Sequence, residues 1–259
     1  MWGFRSMCWR WLLCGLLGYT GWALAIEDRA DVEPNAPVTV QQPIAWKLTL
    51  SQYRETQGDP ANDINLRGNR ADDAFWLGHY MHGSDFQQTR AGYEHQSTWT
   101  SWRTISSLQL AAQGFVGGSL TLEYKPDPQV PWAALVGWGR TNTKPYVNLN
   151  FDPNDSTLIG MSWDGGGPVV TLYQVKDDKL MTSQTVTHAV LRLPLDDSRR
   201  LAMDLFSREG RVDPYSPMVS GTGLSVGLDQ GPYFVRVVWD AKASFTDSDM
   251  LRLAAGLRF

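Results

Sequence analysis

The chain has 259 residues, a formal net charge of -4, 42% hydrophobic residues, two cysteines and twelve tryptophans. No basic run accompanies that slightly acidic balance, which excludes a nucleic-acid footprint. No apolar stretch after Ala25 reaches the roughly 20 residues of a membrane helix, which excludes a helical membrane protein but not a β-barrel, where only alternate residues face lipid.

Residues 1–25 read as a secretory signal peptide. Arg5 and Arg10 stand in a basic start, "WLLCGLLGYTGW" supplies the apolar core, and Ala23-Leu24-Ala25 gives the small-x-small cleavage pattern. Cys8 and Cys14 would leave with it, so the mature chain is expected to have neither a disulfide nor a thiolate metal site. Residues 26–43 are polar and proline-dotted and read as a flexible periplasmic lead-in.

From residue 44 to residue 259, period-two alternation recurs. "AWKLTLSQY" sets Trp46, Leu48 and Leu50 against Lys47, Thr49 and Ser51. "GSLTLEYK" sets Leu120, Leu122 and Tyr124 against Ser119, Thr121, Glu123 and Lys125. "YVNLNF" sets Val147, Leu149 and Phe151 against Tyr146, Asn148 and Asn150, and "YFVRVVWDA" sets Val235, Val237 and Trp239 against Arg236, Val238 and Asp240. Turn signals such as "QGDPAND", "HGSD", "DPND", "DGGGP" and "DQGP" separate these runs. The pattern gives about 15 strand candidates in one domain, without helical periodicity or internal repeat.

Two architectures take many alternating strands. A soluble sandwich buries the apolar face between two sheets, whereas a membrane barrel turns it out to lipid and the polar face into a lumen. The last residues favour the barrel. Leu251, Leu253, Ala255, Leu257 and Phe259 share one phase, and the chain stops on the aromatic. This ending resembles the C-terminal β-signal of Gram-negative outer-membrane β-barrels, with Leu257 where that signal usually carries an aromatic. The resemblance implies an all-β fold, a single closed antiparallel transmembrane β-barrel of 12–14 strands. It also implies three partners: outer-membrane lipid, lipopolysaccharide and the barrel assembly machinery.

On that reading the charged phase lines the lumen: Arg90, Glu94, Glu123, Arg192, Asp204, Arg236, Asp240, Arg252 and Arg258, with Lys47 and Arg67. Both signs are represented, so steep ion selectivity is not expected. Both termini should lie on the periplasmic side, which requires an even strand number and makes one of the 15 candidates false. Counting back from Phe259 places "KDDKLMTSQ" and "SREGRVDPYSPMVSG" outside, while counting forward from Trp46 reverses them. The discrepancy is assigned to the region before Gly114.

One short motif carries possible chemistry. His95-Gln96-Ser97 puts an imidazole and a hydroxyl on one strand face with Ala91 and Tyr93, the lipid-facing phase. It resembles the His-x-Ser of outer-membrane phospholipase A and of the lipid A deacylase, where the histidine is general base to the serine. The following strand, "SWRTISSLQL", offers no Asn, Asp or Glu as an orienting third group. His79 and His82 are three apart and point to opposite faces, His188 stands alone, and residues 152–155 read as a tight turn. Gly165-Gly166-Gly167 follows a strand without leading into a helix, so it does not read as a phosphate loop. No metal or cofactor is expected. The reading is an outer-membrane barrel without a dedicated catalytic site, structural or a narrow passage for small solutes. The alternatives are a lipid hydrolase using His95 and Ser97, and a periplasmic or secreted β-sandwich that binds a ligand.

Overall fold

The computed structural model describes residues 43–84, 86–142, 144, 146–147, 156–177 and 180–259. The expected signal peptide, with both cysteines, and the lead-in up to residue 42 lie outside the described residues.

Fourteen antiparallel strands close into one barrel. They are β1 (Ala45–Glu55), β2 (Ala61–Arg70), β3 (Asp73–His82), β4 (Phe86–Trp99), β5 (Trp102–Ala111), β6 (Phe115–Tyr124) and β7 (Trp132–Thr141). The ring continues with β8 (Thr157–Asp164), β9 (Val169–Asp177), β10 (Gln184–Asp196), β11 (Arg199–Gly210), β12 (Val219–Gln230), β13 (Tyr233–Asp240) and β14 (Met250–Arg258). Every strand pairs with its sequence neighbours, and β1 closes the ring on β14 from Lys47↔Arg258 to Glu55↔Met250. At the seam Trp46 and Phe259 exchange backbone hydrogen bonds of 2.8 and 2.9 Å. No open edge is left, so the stacked-sheet alternative falls.

The side chains confirm which way the ring faces. Along β4, Phe86, Gln88, Arg90 and Glu94 are buried, while Gln87, Thr89, Tyr93 and His95 are exposed. The exposed face elsewhere carries Leu50, Leu77, Leu108, Val116, Ile159, Leu172, Leu205, Val235, Leu251 and Leu253. An apolar outside and a polar inside is the reverse of a water-soluble domain.

The two rims differ. At the lower rim, where β1 begins and β14 ends, most connections are tight: residues 71–72, 100–101, 197–198 and 231–232. Trp99, Trp102, Tyr124, Trp132, Trp163 and Tyr233 stand exposed around it. The upper rim carries the long connections 142–156, 211–218 and 241–249. In the second of these, the Ser216 hydroxyl and the Tyr215 N–H donate to Asp213 at 2.6 and 2.8 Å and hold its carboxyl below the usual range. Loop 241–249 turns through left-handed Lys242, Ser244 and Phe245, which tucks the Phe245 ring inward.

One expected strand is absent among the described residues. In "YVNLNF", Tyr146 and Val147 lie in the β7–β8 connection without strand structure, and residues 148–151 lie outside the described residues. The alternation reflects instead two apolar side chains turned into the lumen. Tyr146 stacks on Phe115 at 3.9 Å, and Val147 joins Tyr53, Tyr80 and Phe86. The false strand therefore lies after Gly114, not before it. The forward count holds up to His95, and the backward count holds back to Lys176.

Aromatic rings lie on glycines across the strand pairs: Phe75 on Gly68, Trp76 on Gly92, Phe206 on Gly223 and Phe234 on Gly256. A Cβ on Gly223 would sit 2.1 Å from the Phe206 ring. Each ring thus lies flat against the wall and covers backbone that a glycine leaves bare. Gly223→Val should lower stability by about 1–3 kcal/mol through overpacking. The readout is the urea concentration at which heat-modifiable gel migration is lost. Gly118→Ala, whose Cβ would meet only the Ser107 carbonyl at 3.4 Å, should leave it unchanged.

Candidate functional site

The lumen has two zones. In the upper half, most inward side chains are packed beyond water's reach. Tyr53, Asp63, Tyr80, Gln88, Arg90 and Gln109 fill one side, and Val175, Val186, His188, Phe206, Arg208 and Asp240 fill the other. Polar groups survive there because they meet partners. Arg90, wholly buried, pairs with Asp63 and donates to the Val147 carbonyl at 2.6 Å, while Gln88 accepts from the Val147 N–H at 2.8 Å. The wall therefore clamps the backbone of one residue of the β7–β8 connection, Val147, at both its N–H and its carbonyl.

Across the lumen, Arg208 pairs with Asp240 at 2.6 Å. His188 lies 3.0 Å from Asp204 and stacks on Tyr173 at 4.5 Å, so it has company that its isolation in the sequence hid. Arg252 lies over the Tyr53 ring at 5.1 Å and donates to Ser51.

The lower half is wetter and differently charged. Arg67 pairs with Glu94, and Arg103 with Glu123. Arg200 and Arg258 both reach Asp229 at 3.2 Å. Lys47 and Arg258 both lie over the Phe234 ring, at 4.8 and 5.1 Å from its centroid. Arg192 and Arg236 join the same face, held apart by the small Ala202 and Gly227 between them in the register. Among the described residues, the carboxylates on the inward phase at this level are Glu94, Glu123, Asp229 and, at the end of β8, Asp164. Lys47, Arg67, Arg103, Arg192, Arg200, Arg236 and Arg258 outnumber them, so cations are in excess. Above, Asp63, Asp204 and Asp240 with Glu55 and Asp177 outnumber Arg90, Arg208 and Arg252. Summed over the chain the signs look balanced; along the axis they are segregated.

All the charged residues assigned to the lumen from sequence lie on the inward face. Leu251, Leu253, Ala255, Leu257 and Phe259 point outward at the seam. Alternation also implied Asp63, Arg103, Arg200, Arg208 and Asp229, which the sequence reading passed over.

His95 and Ser97 face outward from the lower half of β4, between Tyr93 and Trp99. The Ser97 hydroxyl lies 3.2 Å from His95 Nε2. His95 Nδ1 lies 2.9 Å from Asp73 Oδ1, which also accepts from the Tyr93 hydroxyl at 2.5 Å. The third group missing from the following strand comes from the preceding one, because Asp73 pairs directly with His95 across β3 and β4. The β3–β4 register runs from His82↔Phe86 to Asp73↔His95, and the turn signal after His82 was the available clue to it. His79 faces outward to Thr89 and His82 reaches the Asp59 carbonyl, so the two remain apart. Residues 165–167 connect β8 to β9, and residues 152–155 lie outside the described residues.

No protein-family profile matches the chain, and no curated protein matches it by sequence. Among solved structures it is similar to the Acinetobacter baumannii outer membrane protein Omp33, at 8% identity and a TM-score of 0.52, over 83% of this chain and 98% of that one. That likeness shows the fold, a closed antiparallel β-barrel. The KdgM porin (7% identity, TM-score 0.46, 82% of this chain and 99% of that one) and the Salmonella typhi OmpF (11%, 0.44, 84% and 97%) are more distant in shape.

The Arg90 clamp makes a stability difference that two variants resolve. Arg90→Met strands the buried Asp63 carboxylate and the Val147 carbonyl, and should cost about 3–5 kcal/mol. Adding Asp63→Leu removes the stranded charge and should recover most of that loss. Urea unfolding in detergent micelles, followed by tryptophan fluorescence, measures both.

Proposed function

We propose that the chain is an integral outer-membrane barrel whose lumen is a narrow passage for small solutes, shut in its upper half and favouring anions from below. The observation that carries this reading is the change along the axis, from a dry, packed upper lumen to a wetter, cation-rich lower one. The short turns at the lower rim, where β1 begins and β14 ends, support its assignment to the periplasmic side, with the long connections outside. The apolar outer face with its lower band of tryptophan and tyrosine suits embedding in lipid and lipopolysaccharide. The outward row that ends on Phe259 would be what the barrel assembly machinery engages.

Selectivity follows from charge lining a low-dielectric wall, which concentrates ions of opposite sign. Closure follows from the Tyr146–Val147 insertion, which Gln88 and Arg90 of β4 and Phe115 of β6 hold inside the lumen.

Planar-bilayer recording tests both parts. The native protein should show rare, small openings. A Tyr146→Ala/Val147→Gly variant should open more often and conduct more. Under a potassium chloride gradient the reversal potential should report anion preference, and Arg200→Gln/Arg236→Gln should move it toward zero. Cation preference in the native protein, or unchanged silence in the loosened variant despite heat-modifiable folding, would refute the reading.

A further inference from the structure

The outward Ser97–His95–Asp73 chain is not used by a passage through the lumen. We infer that it is a second functional site, a serine esterase acting on membrane phospholipid at the lower-rim interface. The inference rests on the membrane embedding proposed above and adds an activity to it.

Three features of the site converge. The hydrogen-bond order is hydroxyl, imidazole, carboxylate, at 3.2 and 2.9 Å. This is the order that lets imidazole take a proton from serine while a carboxylate fixes its tautomer. With Nδ1–H donating to Asp73, Nε2 is left to accept from Ser97.

The second feature is position. All three side chains face lipid, and His95 and Asp73 are about half exposed (48% and 46%). Ser97 lies between Tyr93 and Trp99, both exposed, and Trp102 pairs with Trp99 across the hairpin. Tyrosine and tryptophan of such a band sit at headgroup level, which is also the depth of the ester bonds of a glycerophospholipid. A substrate in the lower leaflet would therefore meet the hydroxyl without leaving the bilayer.

The third feature is the surrounding wall. Ser106 stands opposite His95 in the register, exposed on the same face, and its hydroxyl is a donor available to the oxyanion as negative charge develops on the acyl oxygen. The buried Thr104, opposite Ser97, donates to the Ser97 carbonyl at 3.4 Å and braces the strand beneath the nucleophile.

The chemistry balances without a co-reactant other than water. Ser97 Oγ attacks the acyl carbonyl carbon and its proton passes to His95 Nε2. The carbon–oxygen bond to glycerol breaks, and the departing lysophospholipid oxygen takes that proton. Water then attacks the acyl-serine carbonyl, gives a proton to Nε2, and the Oγ–carbon bond breaks. Oγ recovers the proton and the fatty acid leaves. Asp73 touches no reacting atom; it is a positioning residue that acts through His95.

The test uses full-length protein reconstituted in phosphatidylethanolamine–phosphatidylglycerol vesicles, with heat-modifiable migration and co-flotation scored first. A fluorophosphonate probe should label the native protein at Ser97 and not Ser97→Ala. Fatty-acid release should fall to background in Ser97→Ala and His95→Ala. Asp73→Asn should lower kcat by at least 10-fold (an ester-hydrolysing triad loses on the order of 10⁴ at most) with KM unchanged, and Asp73→Glu should restore part of it. Folded, vesicle-bound native protein that takes no probe and releases no more fatty acid than Ser97→Ala would overturn the site while leaving the barrel reading intact. Protein that folds but does not float with vesicles would overturn the embedding on which both rest.

Discussion

Closure of the backbone on itself governs everything else in this molecule. In hydrocarbon each unpaired N–H or C=O costs several kcal/mol, because no water replaces the missing partner. The seam between β1 and β14 removes that cost with residues about two hundred positions apart in the chain, from Lys47↔Arg258 to Glu55↔Met250. Once the ring is closed, the period-two rule of a strand divides every segment into an outward and an inward set. The apolar outside, the charged inside and the outward placement of Ser97 all descend from that one division.

What fills the inside is less usual than the ring. A lumen lined by arginine and carboxylate is stable when water enters it or when each charge finds a partner, and this barrel does both at different depths. The upper half desolvates Arg90, Asp63, Arg208 and Asp240 and holds them in pairs with aromatic rings alongside. The lower half leaves Arg200 half exposed. Desolvating a pair stabilises little on balance, but breaking one is costly. The upper network thus acts as a lock for the chain segment at Val147.

The architecture was legible because it depends on alternation, which a single sequence displays directly. The outward row at Leu251, Leu253, Ala255, Leu257 and Phe259, and the inward set from Arg90 to Arg258, needed only parity. Two things were hidden because they depend on which strand lies beside which. "YVNLNF" alternates as a strand does, yet Tyr146 and Val147 serve as filling, and nothing in their spacing separates the two uses. Asp73 sits twenty-two residues before His95 and becomes its neighbour only through the β3–β4 register. Axial segregation of charge was hidden for the same reason: balance over the whole chain says nothing about depth in the barrel.

The aromatic–glycine pairs bear on a problem that parity leaves open. Sliding one strand past its neighbour by one residue would turn leucines inward, so the membrane itself rejects that error. Sliding by two preserves inside and outside, and hydrophobicity is blind to it. Such a shift would carry Trp76 off Gly92 onto Arg90 or Glu94, or Phe234 off Gly256 onto Ala254 or Arg258, each of which has a Cβ where the ring must lie. A handful of keyed contacts, spread around the circumference from β2 to β14, thereby selects one hydrogen-bonding alignment among several that the bilayer would accept equally.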